Sequence, residues 1–181
     1  VFHQPLGVVG ILAPWNSGVC LSFTPLACAL AAGNRALIKP SELTPRTSSL
    51  VADMVAGAFA PDEVDVVQGG PDVAASFAGL PFDHLVFTGS ARTARLVMQA
   101  AARHLVPLTL ELGGKAPTIL ARGADVRDAA DRIVAMKLTN AGQVCMGPDY
   151  ALVHVDDRDR FVAAALDAAR RFYPDWATNP D

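Results

Sequence analysis

Short apolar runs alternate along this chain with segments in which apolar residues recur every three or four positions. The runs have the length of buried strands, whereas the longer segments have the period of helices that pack on one face. The predicted strands and extended segments cover residues 8–13, 36–38, 64–67, 84–87, 107–111, 116–121 and 150–155. The predicted helices cover residues 21–32, 44–59, 72–78, 91–104, 125–138 and 156–172. This alternation is typical of an α/β fold with an open parallel sheet and crossover helices.

The helical segments also predict which side chains form the core. Cys20 and Cys28, in and beside the first helix, are expected in the core, because an unpaired cysteine usually behaves as a small buried hydrophobe. Thr44 and Asp125 have the residue types of helix N-caps. Two stripes at helical spacing are expected to be buried, namely Leu50, Val51, Met54, Val55, Ala58 and Phe59, and Phe161, Val162, Ala165, Leu166 and Ala169.

Composition and charge exclude several classes of partner. The formal net charge is −3, and Lys and Arg form no cluster, so nucleic acid is not expected as a partner. No apolar run has the length of a membrane span and no signal peptide is apparent, so no membrane association is expected. The cysteines are three in number and irregularly spaced, which predicts no disulfide framework and a reducing, cytoplasmic location. The scattered histidines predict no metal site.

The candidate chemistry lies in two short segments. The first is Glu-Leu-Gly-Gly-Lys at residues 111–115, and the second is Gly-Gln-Val-Cys-Met-Gly-Pro-Asp at residues 142–149. Glu111 and Cys145 are 34 positions apart. A thiol that attacks a substrate and a carboxylate that later activates water are suited to covalent catalysis.

Further polar residues follow the predicted strands, where ligands of open α/β sheets bind. Pro-Trp-Asn follows the first strand at residues 14–16, and Lys-Pro-Ser-Glu follows the second at residues 39–42. Thr-Gly-Ser, at residues 88–90, lies between the fourth strand and a helix, an arrangement that places backbone amides near a phosphate.

These segments together resemble the signatures of the aldehyde dehydrogenase superfamily, and the resemblance covers essentially the whole chain. The Pro-Asp-Tyr at residues 148–150 resembles the branch that contains coniferyl aldehyde dehydrogenases. The resemblance implies a Rossmann-like cofactor-binding domain over residues 1–112. Residues 113–181 would then be the beginning of the catalytic domain.

The resemblance implies a role for each matching residue. Cys145 would be the nucleophile, Glu111 the base that activates the hydrolytic water, and Asn16 a donor to the oxyanion. Lys39 and Glu42 would hold the adenosine ribose. The remaining cofactor-binding residues would be Trp15, Gly89, Ser90, Leu112 and Gly113.

The implied reaction oxidises an aldehyde to its carboxylic acid with NAD, through a cysteine thiohemiacetal and thioester. NADP remains possible, although Glu42 would repel a 2′-phosphate. The sequence lacks the GxGxxG string of ordinary Rossmann enzymes. It also has Ala94 where the family has glycine, and a methyl group there could crowd the helix packing or the pyrophosphate. Gly113 and Gly114 are expected to permit a tight backbone that a side chain would block.

Family chains are more than twice as long, so this one is expected to be a fragment that lacks the later Glu-Ile-Phe-Gly-Pro-type segment. Marginal stability of the isolated chain is expected, and the complete protein is expected to be a homodimer or homotetramer. Two alternatives remain open. One is an acylating or reductase relative, against which Glu111 argues because a thiol acceptor needs no activated water. The other is a non-catalytic truncated remnant.

Overall fold

The computed structural model describes residues 4–175 and residue 178. Within it the chain forms two compact units, Val1–Gly113 and Gly114–Asp181. The strands are β1 Val8–Leu12, β2 Arg35–Lys39, β3 Val64–Val66, β4 His84–Gly89, β5 Leu108–Leu112, β6 Ala116–Leu120 and β7 Pro148–Val153. The helices are α1 Gly18–Ala31, α2 Pro45–Ala58, α3 Pro71–Ala78, α4 Ala91–Ala101, α5 Val126–Leu138 and α6 Arg158–Phe172.

The first unit is built on a five-stranded sheet in the order β3-β2-β1-β4-β5. Every pair of neighbouring strands is parallel, as the alternation of strands and helices predicts. Successive side chains of a strand point to opposite faces, so β1 contributes to two cores. Val9 and Ile11 pack with residues of α1 and α2, whereas Leu12 packs with residues of α3 and α4. The predicted parallel α/β architecture, with helices on both faces of the sheet, is therefore confirmed.

The second unit has a two-stranded parallel sheet, β6 beside β7, with helices α5 and α6 packed on each other. Ion pairs link these two helices, because Arg127 pairs with Asp167 and Arg171 pairs with Asp131. The predicted helix that Asp125 begins is confirmed, since its carboxylate accepts from the backbone N–H of Arg127 and Asp128, at 2.9 and 3.1 Å. No helix in the described part of the chain is long and apolar enough to cross a membrane.

The predicted burial of two apolar stripes is wrong for half of their large side chains. In α2, Val51 and Val55 are buried, whereas Leu50 and Met54 are exposed. The face of α2 that meets the sheet is defined by Ser48, Val51 and Val55, and residues 50 and 54 lie off that face. The same correction applies in α6, where Val162 and Leu166 are exposed and Ala168 is buried.

The predicted core positions of Cys20 and Cys28 are also wrong, because both cysteines are exposed. Helix α1 begins at Gly18, three residues before the predicted start, and its buried side chains are Ser22, Leu26 and Ala29. These residues recur at the helical period and define the sheet-facing side. The cysteines lie outside that stripe.

Candidate active site

The strand order of the first unit creates a crevice for a ligand. Strand β1 has β2 on one side and β4 on the other, so the chain leaves β1 in one direction and later returns on the opposite side. The helices that follow β1 and β4 pack on opposite faces of the sheet. In open α/β sheets, ligands bind in this crevice beyond the carboxyl ends of the strands.

A cavity of about 530 Å³ lies at this place. The structure describes all seven of the predicted cofactor-binding residues, and five of them line the cavity: Trp15, Lys39, Glu42, Gly89 and Ser90. Leu112 and Gly113 do not line it. Thus the ends of β1, β2 and β4 bring residues from distant parts of the chain to one cavity.

Sequence reasoning missed the apolar wall of this cavity. The wall comes from α3, to which the sequence analysis assigned no role, and from the body of α4, of which only the amino-terminal turn was assigned one. Its side chains include Pro71, Ala74, Ala78, Leu96, Val97 and Ala100. The small residues of α3 recur at positions 71, 74, 75 and 78, which is one helical face. That stripe of small residues next to a glycine turn is the signal that could have identified the wall.

Lys39 and Glu42 form the charged pair of the cavity. Lys39 ends β2, and its side chain is only 3% exposed. A buried ammonium group requires a partner, and its Nζ donates to Oε2 of Glu42 at 2.6 Å. This hydrogen bond is the main cause that holds the pKa of Glu42 below its ordinary value. Glu42 is therefore a carboxylate at neutral pH.

The loop between Lys39 and Glu42 is held to helix α2. Ser48 Oγ donates to the carbonyl oxygen of Ser41 at 2.7 Å. The hydroxyl of Ser41 accepts from the backbone N–H of Leu43 at 3.3 Å. Ser41 itself lines the cavity and was missed by the sequence analysis. These bonds fix the place at which Glu42 faces the cavity.

The turn from β4 to α4 forms another edge of the cavity. Ser90 caps α4, since its Oγ accepts from the backbone N–H of Thr93 at 3.1 Å. A Cβ atom at Gly89 would lie 2.5 Å from the ring of Phe87, so glycine is what fits at this position. Ser90 and Thr93 both line the cavity at the amino-terminal end of the helix.

Ala94 is 2% exposed and packs in the core cluster with Phe87 and Val97. Its methyl group therefore lies in the hydrophobic core, and Ala94 is not among the residues that line the cavity.

Three other predicted residues lie at the same edge of the sheet. Glu111 and Leu112 end β5, in register with Thr88 and Gly89 of β4, and Glu111 is exposed. Asn16 is half-buried in the turn between β1 and α1.

The expected crowding at Gly113 and Gly114 is not observed. A Cβ atom on either glycine would meet no described heavy atom within 4 Å. The backbone there passes through open space, so no neighbouring group requires glycine in this part of the structure.

Cys145 belongs to the second unit. It lies in the thiol loop, defined here as residues 139–147 between α5 and β7. Asn140, Ala141 and Gly142 have left-handed φ values of 52°, 53° and 79°. This conformation is unfavourable for Ala141. The carbonyl oxygen of Asn140 accepts from both the backbone N–H and the Nε2 of Gln143, at 3.0 and 3.1 Å. The loop presents the Cys145 thiol to solvent.

Among the described residues no cluster of His, Cys, Asp or Glu could hold a metal ion. The first unit therefore contains a cavity with a buried ion pair and a helix amino terminus, and an exposed carboxylate at the sheet edge. The second unit, described by itself, contains an exposed thiol on a loop closed by hydrogen bonds.

Comparison with known proteins gives the family of this chain. The sequence model of the aldehyde dehydrogenase family matches residues 1–179. A probable coniferyl aldehyde dehydrogenase of Caulobacter vibrioides is 56% identical over 178 residues, which are 98% of this chain and 37% of that protein. The coniferyl aldehyde dehydrogenase of a Pseudomonas species is 52% identical over 181 residues, which are 100% of this chain and 38% of that protein. The chain belongs to the aldehyde dehydrogenase family.

Solved structures of the family have the same fold. The substrate-bound state of Staphylococcus aureus AldH superposes with a TM-score of 0.90 at 43% identity, covering 94% of this chain and 37% of that one. The NAD⁺ complex of a Mycobacterium tuberculosis aldehyde dehydrogenase gives a TM-score of 0.84 at 35% identity, covering 91% of this chain and 35% of that one. The chain thus spans little more than a third of the length of these relatives.

Proposed function

We propose that this chain is the part of an NAD-dependent aldehyde dehydrogenase that holds the cofactor and supplies the thiol. The observation that carries the proposal is the cavity at the crevice between β1 and β4, where Lys39, Glu42 and Ser90 meet. Membership of the aldehyde dehydrogenase family supports the reaction class. In this proposal residues 1–112 form the cofactor-binding domain and residues 113–181 begin the catalytic domain.

The cavity suits a dinucleotide chemically. A ribose diol needs a donor and an acceptor, and the Lys39 ammonium and the Glu42 carboxylate supply them. The amino terminus of α4, beside Gly89 and Ser90, suits a phosphate. Since Glu42 is ionised at neutral pH, it disfavours the 2′-phosphate of NADP. NAD is therefore the proposed cofactor, and when bound it accepts the hydride that the substrate loses.

The residues of the chain carry the covalent steps. The Cys145 thiolate attacks the aldehyde carbon and forms a thiohemiacetal. The side-chain amide of Asn16 and the backbone N–H of Cys145 stabilise the oxyanion, and loss of one such donor typically lowers the rate by roughly 10²–10³. After oxidation to the thioester, Glu111 takes a proton from the water that hydrolyses it. The carboxylic acid is released and the thiol is restored.

The names of the relatives suggest a substrate class. One relative, at 52% identity, is named a coniferyl aldehyde dehydrogenase, and another, at 56% identity, is named a probable coniferyl aldehyde dehydrogenase. We infer an aromatic aldehyde of the coniferyl type as substrate, a homodimeric or homotetrameric complete protein, and a cytoplasmic location. The hydrolytic role of Glu111 distinguishes this proposal from an acylating relative that would transfer the acyl group to coenzyme A.

The experiment incubates the protein with NAD and coniferyl aldehyde while NADH formation and intact protein mass are followed together. We expect NADH to form, and we expect Cys145→Ala to abolish both NADH and the acyl adduct. Cys20→Ala is the matched control, because Cys20 is exposed but is not placed in the mechanism. NADH formation by Cys145→Ala at the wild-type rate would refute the proposed nucleophile.

The role of Glu111 has its own variant. Glu111→Gln is expected to accumulate the acyl-enzyme, because the water that hydrolyses the thioester loses its base. If coenzyme A accelerates product release in the wild type and Glu111→Gln accumulates no adduct, the acylating alternative replaces the hydrolytic one.

A further inference from the structure

The start of the β6–β7 pair contains an irregularity in register. Ala116 lies opposite Pro148, but the next residue, Pro117, lies opposite Tyr150. Asp149 is therefore an extra residue on β7 with no partner in β6. Such a bulge redirects a side chain and locally ends the regular pairing.

The residue types at this place explain the bulge. Pro117 has no backbone N–H, so it cannot donate to a partner on β7. Pro148 is the first residue of β7, a position at which a strand tolerates a residue without a backbone N–H. The regular ladder resumes at Tyr150 and continues to Val153. The irregularity is thus confined to the residues that adjoin the thiol loop.

The bulged Asp149 forms an ion pair across the sheet. Its Oδ1 accepts from Nζ of Lys115 at 3.0 Å. Lys115 immediately precedes β6, and Asp149 lies four residues after Cys145. The side chain of Lys115 is 81% exposed and that of Asp149 is 30% exposed. The pair therefore joins the segment that follows Glu111 to the segment that contains Cys145.

The two ends of the thiol loop are held differently. At the upstream end, Oγ1 of Thr139 donates to the carbonyl oxygen of Ala135 at 2.8 Å, and the two bonds from Gln143 to Asn140 close the left-handed turn. All of these bonds are local. At the downstream end, Gly147 N–H donates to Val144 at 3.0 Å, and the side chain of Asp149 then reaches a residue 34 positions away.

We propose that Lys115 and Asp149 are a pair of positioning residues for Cys145, which fix the downstream end of the thiol loop to the start of β6. This inference rests on the proposed function and deepens it, because it assigns a role to two residues outside the set that reacts. Neither side chain touches the substrate in this role. The pair acts by limiting the positions that the loop, and hence the thiol, adopts.

The expected effect on kcat corresponds to the free energy of one exposed ion pair. Such pairs contribute about 0.2–1 kcal/mol, so loss of positioning is expected to lower kcat by at most roughly five-fold. KM should change little, since neither residue is assigned to the substrate or to the cofactor cavity.

The test is a double-mutant cycle in the full chain, with Lys115→Met, Asp149→Asn and the double variant. Each single variant is expected to lower kcat about two- to five-fold and to accelerate backbone hydrogen exchange in residues 139–147. The double variant is expected to lose no more than a single variant, because either substitution already removes the pair. Arg132→Met is the matched control, since it removes the exposed Arg132–Asp128 pair of α5 and should change neither readout.

Unchanged exchange of residues 139–147 in both single variants would overturn the inference. The inference would also be overturned if the fall in kcat of the double variant equalled the product of the falls in the two single variants, because the two residues would then act independently. If the complete wild-type protein, of which this chain is proposed to be a part, oxidises no aldehyde, the proposed function fails. The exchange measurements still decide whether the pair holds the loop. Lys115→Met alters a side chain at the surface, so its folded state is expected to persist, as a thermal melt would show.

Discussion

The sheet of the first unit is covered by helices on both faces, whereas the second unit combines a two-stranded sheet with a pair of ion-paired helices. The first unit contains two hydrophobic clusters with fully buried side chains such as Ile11, Ile38 and Leu85. In the described part of the second unit, the buried hydrophobic residues are only Val126, Ala130 and Ala168. Burial of apolar surface is the dominant favourable contribution to folding. The first unit is therefore stabilised mainly by its core, and the second depends more on polar contacts.

The polar contacts of the second unit form a network. Arg127 pairs with Asp131 and Asp167, and Arg171 pairs with the same two carboxylates. Large apolar side chains such as Ile119 and Leu152 are exposed in this unit. The cavity of the first unit is thus built on a well-packed sheet, whereas the thiol belongs to a unit with a small core.

The greatest change in stability is expected when the same substitution is made in each of the two units and the results are compared. Leu85 is 0% exposed and Leu152 is 52% exposed. Leu85→Ala should lower the free energy of unfolding by about 2–5 kcal/mol, because it removes buried methyl groups and leaves a cavity. Leu152→Ala should change it by at most about 0.5 kcal/mol. Chemical denaturation followed by circular dichroism measures both, and equal effects would contradict the contrast between the units.

The next effect tests how tightly the first unit is packed. A Cβ atom at Gly10 would lie 2.6 Å from the ring of Phe82 and 2.8 Å from the side chain of Leu85. Gly10→Ala should therefore cost about 1–3 kcal/mol through overpacking. Gly57→Ala is the control, since Gly57 lies in the last turn of α2 and a Cβ atom there meets nothing within 4 Å. It should stabilise the chain by about 0.4–1 kcal/mol, because alanine reduces the conformational freedom of the unfolded chain. A stabilising Gly10→Ala would refute the close packing.

A smaller loss of stability is expected when the ion pairs of the second unit are removed. Arg171 donates to Asp131 at 2.5 Å and to Asp167 at 3.2 Å. Arg171→Met should lower the free energy of unfolding by about 1 kcal/mol at low salt, and the loss should shrink in high salt because exposed charges are screened. Arg158→Met, which removes only the pair with the adjacent Asp159, is the control. A loss that is independent of salt would argue against the ionic network.

The smallest effect concerns the pH dependence of the first unit. The pKa of Glu42 is lowered from its ordinary value of 4.5, chiefly by the hydrogen bond from Lys39. A lowered pKa in the folded state means that the stabilisation is fully present above pH 4.5 and is lost as the pH falls through the folded value. The stability difference between the wild type and Glu42→Gln should therefore shrink below that pH. Thermal melts of both proteins, with Glu63→Gln as control, measure it, and a constant difference would contradict the assignment.

The order of elements was predictable from sequence because the hydrophobic period is a local property. All five strands of the first sheet lie within a few residues of their predicted positions, and Asp125 begins the helix that its side chain predicts. The strand-end residues Trp15, Lys39 and Ser90 were also identifiable, because they follow apolar runs in recognisable motifs. Their roles as catalytic or cofactor-binding residues remain predictions.

The burial of individual helix positions was not predictable to the same degree. A stripe at helical spacing gives the apolar face of α2, but only contact with the sheet selects Val51 and Val55 over Leu50 and Met54. The burial predicted from residue type was wrong for the same reason at Cys20 and Cys28. Both are apolar in character, yet they lie off the sheet-facing side of α1. Burial depends on what the neighbouring elements cover, which is not a local property.

The order of amino acids was enough to identify the family signatures, the parallel α/β class and the residues from which a site could be built. Three features could be found only in the folded chain: the burial of Lys39 against Glu42, the packing of Ala94 in the core, and the bulge at which Asp149 pairs with Lys115. This difference arises from the distance along the chain over which each kind of interaction acts. Hydrophobic period and motif spacing act over a few residues, whereas a cavity, a buried charge pair and a strand register arise only when distant segments are packed together.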